Sequence, residues 1–144
     1  MTSYPPETID FDASDIPGRV VAAFEEAIKC HARQCYVAAA IMVRKTLEEV
    51  CADRGAAGDN LMKRIEALGD KVVLPQPMLD GLDNLRLLVN DAAHLEARVY
   101  EDIGQDELEV AIDVAKEILK ATYQYEGLMG RLRELQKNGG TDST

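Results

Sequence analysis

The chain has 144 residues, of which 47% are apolar, 29% charged and 5% aromatic, with no tryptophan and a formal net charge of −10. That length suits one ordinary domain with a sizeable core, and no apolar run approaches the ~20 residues that a membrane helix requires. The negative charge repels polyanions and weighs against broad electrostatic docking on DNA. The opening "MTSYPPETIDFD" has no basic start followed by an apolar segment, so the expected location is the cytoplasm.

In chain order, residues 1–15 read as an extended N-terminal arm, 16–137 as a single helical-bundle domain, and 138–144 as a disordered tail. Ser14 or Asp15 is the expected cap of the first helix, with Pro17 in its first turn. Val20, Val21, Phe24, Ala27 and Ile28 then repeat at threes and fours to make one apolar face. A break is expected near 32–34. "CYVAAAIMVRKTLEEVCADRG" is apolar almost all round in its first half, which marks the buried central helix, ended by Gly55 and Gly58. Asp59 is expected to cap a short helix closed by Gly69. Pro75 and Pro77 exclude a strand in the connector, and Pro77 can open a helix over 78–100. Gly104 breaks the chain and Asp106 is the expected cap of the last helix, which Gly127 and Gly130 weaken without ending. No segment alternates with period two, so the fold class is all-α: an up-and-down helical bundle of four long helices plus one short helix.

Cys30, His31 and Cys35 invite a metal reading, but they lie in or beside an apolar helical run with no fourth ligand at a finger-like spacing. Structural thiols, with no metal and no cofactor, are the expectation. The acidic run of 100–113 reads as a solvated helix start, where carboxylates suit the helix dipole.

The candidate site comes from two helical wheels. Arg86, Asn90 and His94 follow at i, i+4 and i+8 down one flank of "NLRLLVNDAAHLEARV", spanning roughly 12 Å of helix. Ala93 and Ala97 beside them leave room for a close approach. On the central helix Arg44 and Glu48 fall among Val37, Ala40, Ile41, Leu47 and Cys51, while Lys45, Thr46 and Glu49 point elsewhere. A charged pair in an apolar arc is costly unless its members satisfy each other or a third polar group. The pattern therefore predicts that Arg44 and Glu48 are partly buried and paired, facing the Arg86–Asn90–His94 flank.

Taken together, "FEEAIKC", "CYVAAAIMVRKTLEEVC", "GDNLMKRIEAL" and "LRLLVNDAAH" resemble a family of bacterial domains of unknown function met beside or within restriction endonucleases. The residues that carry the resemblance are Arg44, Leu47 and Glu48; Leu61, Arg64, Ile65 and Leu68; and Arg86, Asn90, Asp91, Ala92, Ala93 and His94. That family looks like a branch of the HEPN superfamily (higher eukaryotes and prokaryotes nucleotide-binding domains). The resemblance implies an up-and-down bundle that dimerises, and many HEPN domains are metal-independent ribonucleases of defence systems. It makes Arg86, Asn90 and His94 the catalytic candidates and Arg44, Glu48 and Asp91 the binding candidates.

In such a nuclease, histidine moves protons between the 2′-hydroxyl and the 5′-oxygen, and arginine stabilises the phosphoryl oxygens. Here seven residues separate Arg86 from His94, and Leu87 stands where active members carry a polar group. Both departures favour a non-catalytic dimeric interaction module in a bacterial defence or nucleic-acid-processing system. The alternative is a metal-independent RNA endonuclease using His94 and Arg86. A third reading is a nucleotide or small anion held between Arg44, Arg86 and His94. The expected partners are a second copy and a protein or an RNA, with no membrane.

Overall fold

The computed structural model describes residues 11–82 and 104–142, with side chains through Asn138. All regular structure among these residues is helical. The elements are α1 (Gly18–Ala32), α2 (Tyr36–Asp53), α3 (Leu61–Gly69), α4 (Gln76–Gly81), α5 (Gln105–Leu119), a π-helical turn (Lys120–Gln124) and α6 (Tyr125–Asp142). α5, the π turn and α6 run on without interruption, past residue 137 where the sequence pattern ends the bundle. The long helix expected over 78–100 lies outside the described residues except for its opening turn.

Local chemistry moves several expected helix starts. α1 starts after Pro17, whose carbonyl takes the amides of Val20 and Val21 at 3.0 Å each. Neither Ser14 nor Asp15 caps it: Ile16 precedes a proline and is driven from helical geometry, so no helix can begin upstream. Asp12 instead binds the amide and hydroxyl of Ser14 at 3.0 and 2.6 Å, and Asp15 adopts φ +64°. α3 is capped by Asn60, not Asp59, because only Asn60 lies where its Oδ1 reaches the Lys63 amide at 2.9 Å. α4 begins one residue earlier than expected, at Gln76 after Pro75. In α5 the first helical bond runs from Leu108 to the Gly104 carbonyl; Asp106 therefore sits inside the first turn with Glu107, where both favour the helix dipole.

α2 is the central element, packed on α1, α3 and α5. Small side chains make this possible. Ala39 and Ala40 of α2, Ala27 of α1 and Ala115 of α5 are fully buried, and alanines at a crossing let helix axes approach toward the short end of the usual 8–10 Å. Phe24, Val43, Leu47, Leu61, Ile65, Leu68, Leu108 and Ile112 fill the remaining core. Phe11 of the arm closes one end, its ring edge-on to Phe24 at 4.7 Å.

Candidate functional site

Arg44 is the largest fully buried side chain among the described residues, at 1% exposure. α2 places it there by register: it follows Ala40 by four and precedes Leu47 by three, all on the core side. Its Nε lies 3.7 Å from Glu48 Oε2, one turn on, where the Glu48 side chain is 29% exposed. Glu48 is one of its partners rather than its whole environment. The pairing and burial expected of Arg44 are thus found, with the arginine deeper than the carboxylate.

α3 extends the polar row. Arg64 is close enough to Cys51 for its positive charge to act on the thiol, as is the negative charge of Glu48 from within α2. Burial dominates, however, and pushes the Cys51 thiol up to about 11. Arg64 is held by donating Nε to the Gly58 carbonyl at 3.2 Å. Gly58 has no room for a larger residue: an added Cβ would meet Lys63 Cβ at 2.8 Å and the Arg64 backbone nitrogen at 2.9 Å. Arg44, Glu48, Cys51 and Arg64 therefore form one charged strip from the middle of α2 to α3. Arg86, Asn90, Asp91 and His94, the other half of the expected site, lie outside the described residues.

One residue of α2 departs from its expected direction. Thr46 is fully buried because its hydroxyl satisfies itself locally, donating to the Met42 carbonyl at 2.7 Å. Lys45 stays in solvent and shares Glu49 with Arg19, each at 3.9 Å.

The groups of the metal reading turn to separate partners. Cys30 donates to Glu26 Oε2 and Cys35 to the Arg33 carbonyl, each at 3.7 Å. His31 Nε2 lies 3.4 Å from Glu109 Oε1 of α5. Cys35 is exposed rather than structural, whereas Cys51 is buried.

A second cluster carries no signal in the sequence. At the end of α2, Arg54 lays its guanidinium over the Tyr123 ring at 4.7 Å, donates Nη2 to the Thr122 carbonyl at 3.0 Å and pairs with Glu126 at 3.4 Å. Tyr123 donates its phenol to Asp53 Oδ2 at 2.8 Å. The two sides are about seventy positions apart, and they meet where the last helix widens into its π turn. π turns inside α-helices are often found at functional sites, and here the turn faces a clamp from α2.

A family model for a domain of unknown function (DUF4145) matches residues 25–138, from the middle of α1 into α6. The chain belongs to this family. The match spans both halves of the charged strip and the Arg54–Tyr123 clamp, so each lies within the DUF4145 domain proper. No curated protein and no solved structure gives a significant match to the chain. Among the described residues, no helix is long and apolar enough to cross a membrane.

Proposed function

We propose that this DUF4145 domain is a HEPN-like, non-catalytic interaction module that works as a homodimer within a bacterial defence or nucleic-acid-processing system in the cytoplasm. The observation that carries the reading is the burial of Arg44 beside Glu48. A guanidinium acting on a phosphoryl group must reach it with paired donors. One enclosed at 1% exposure acts on helix packing instead, which removes Arg44 from the groups that could hold a phosphate or nucleotide and leaves it a structural role at the centre of an interaction module. Surface cavities among the described residues are lined by other side chains, such as Phe11 and Lys116 in one and Met62 and Leu79 in another. The lengthened Arg86–His94 spacing and Leu87 support the same reading, and the net charge of −10 favours a protein partner over a polyanionic substrate.

The deciding experiment is incubation of the full chain and of His94→Ala with a panel of single-stranded RNAs in EDTA. Both proteins should be equally inert. Cleavage that leaves a cyclic phosphate, and that His94→Ala abolishes, would overturn the reading in favour of a metal-independent RNA endonuclease using His94 and Arg86. Light scattering at micromolar concentration should give twice the chain mass.

A further inference from the structure

The last helix carries an apolar seam that is left exposed among the described residues. Tyr125, Leu128, Leu132 and Leu135 recur at intervals of three, four and three, the spacing of a two-helix seam, and are 50%, 54%, 43% and 69% exposed. They lie roughly opposite Gly127 and Gly130, the less exposed side of α6. From Arg131 to Asn138 every residue is exposed. A projecting helix of so few turns is marginal in water without packing, and the two glycines at its base weaken it further.

Beside the first half of the seam opens a cavity of about 450 Å³, whose walls include Val73, Pro75, Ala121, Gln124, Tyr125 and Leu128. The last four, two from the π turn and two from the first turn of α6, border this one cavity together, a socket for one side chain of a facing helix. Ala121 is its small floor, and Val73, 73% exposed, is its far wall.

We propose that a second copy of this chain fills the socket: α6 of two copies packs antiparallel, each inserting Leu135 between Ala121, Gln124, Tyr125 and Leu128 of the other. One chain holds both the projecting leucine and the socket, and a twofold axis uses both at once. Direction follows from geometry. The bundle body lies at the start of α6, so a parallel pair would crowd two bodies together and leave both sockets without a leucine. Charge agrees. Arg131 is paired with Asp15 of its own chain at 3.6 Å, and beyond it Arg133 and Lys137 outnumber Glu134 in a chain of net −10, so residues 132–138 meet the partner's acidic body and not their own like end.

This assignment rests on the homodimeric reading above and specifies its surface. The test is light scattering of the full chain and of Leu135→Glu, together with cross-linking in a Cys35→Ser background. Leu135→Glu should weaken association at least tenfold while the bundle's helical circular dichroism persists. Tyr125→Cys and Leu135→Cys should form an interchain disulfide when mixed, and neither should do so alone. A dimer indifferent to Leu135→Glu would overturn the seam and leave the homodimeric reading standing; a monomeric parent would overturn both. A monomer that sediments with phosphatidylglycerol vesicles would assign the seam to a lipid surface and overturn the proposal.

Discussion

The Tyr123 phenol donates to the Asp53 carboxylate at 2.8 Å, tying the end of α2 to the π turn of the last helix. Arg54 closes the same junction from the other side through the Tyr123 ring and the Thr122 carbonyl. Two neighbouring residues of α2 thus grip two neighbouring residues seventy positions away. Past the widened turn the long helix goes from buried to partly exposed residues, with Gly127 and Arg131 still lying against Asp15. The clamp therefore fixes where the α6 seam starts.

Removing the phenol tests the clamp. Tyr123→Phe keeps the ring under Arg54 and deletes one hydrogen bond, so a loss of about 1 kcal/mol is expected in urea unfolding. Arg54→Lys should cost about as much or more, because an ammonium lacks the planar fork that lies on the ring and reaches Thr122 together. A Tyr123→Phe protein as stable as the parent would show that the junction is held by apolar packing alone.

The same group sets an alkaline limit. Burial first, and then the hydrogen bond to Asp53 and its charge, hold the Tyr123 phenol well above the ordinary tyrosine range, although Arg54 partly opposes them. Burial likewise raises the Cys51 thiol to about 11. Both groups are neutral when protonated, so the folded chain keeps protons that the unfolded chain has released. Their contribution is complete below the unfolded values and is lost as pH rises through the folded ones. Thermal stability should therefore fall from about pH 9 upward, first through the thiol and then through the phenol. Tyr123→Phe should flatten the upper part of that fall; an unchanged slope would show that the phenol does not contribute to it.

Arg44 distinguishes packing from charge. Arg44→Ala leaves both a cavity and a carboxylate without its partner, and a loss of about 3–5 kcal/mol is expected. Arg44→Met keeps most of the volume, and since Glu48 is partly in solvent its loss should be less than half of that. Equal losses would mean that the guanidinium's bonds, rather than its bulk, hold the core.

How much of this was legible beforehand depends on whether the cause is local. The all-helical class, the buried central helix and the Arg44–Glu48 pair follow from periodicity, which a single sequence carries. The caps lie one to three residues from their expected places at α1, α3 and α5. Neighbouring polar residues stand at each of these starts, and only backbone geometry selects among them, as Asn60 is selected over Asp59. Thr46 looked like a surface residue because its hydroxyl's partner is its own helix. The Arg54–Tyr123 clamp and the π turn left no trace, since both are tertiary. The exposed seam of α6 is hidden by its own periodicity, which reads as an ordinary core face until the exposures of Tyr125, Leu128, Leu132 and Leu135 are known.

The three thiols should report burial directly. Cys35 is exposed, Cys30 half-buried and Cys51 buried at 1%, and only the thiolate reacts with an aromatic disulfide reagent. At neutral pH Cys35 should be modified first. Cys30 should follow slowly, because burial and the Glu26 carboxylate raise its thiol. Cys51 should react only at the rate of unfolding. Fast modification of all three in the native protein would contradict the packing of α2 on α3.

α1 and α2 end in the same way, with a residue in the left-handed region followed by an amide that reaches back five positions: Cys35 to the Cys30 carbonyl and Ala56 to the Cys51 carbonyl, both at 2.8 Å. The left-handed residue is Gly55 at φ +68° in one case and Gln34 at φ +63° in the other. Glycine adopts that angle freely, whereas a side chain there costs about 1–2 kcal/mol. Gln34→Gly should therefore raise stability by roughly 0.5–1 kcal/mol once glycine's greater unfolded freedom is subtracted, and Gly55→Gln should lower it by a similar amount or more. Gln34 is exposed and makes no side-chain hydrogen bond among the described residues, so nothing else is lost in the exchange. A Gln34→Gly variant that melts below the parent would show that the turn between α1 and α2 is held by more than its backbone.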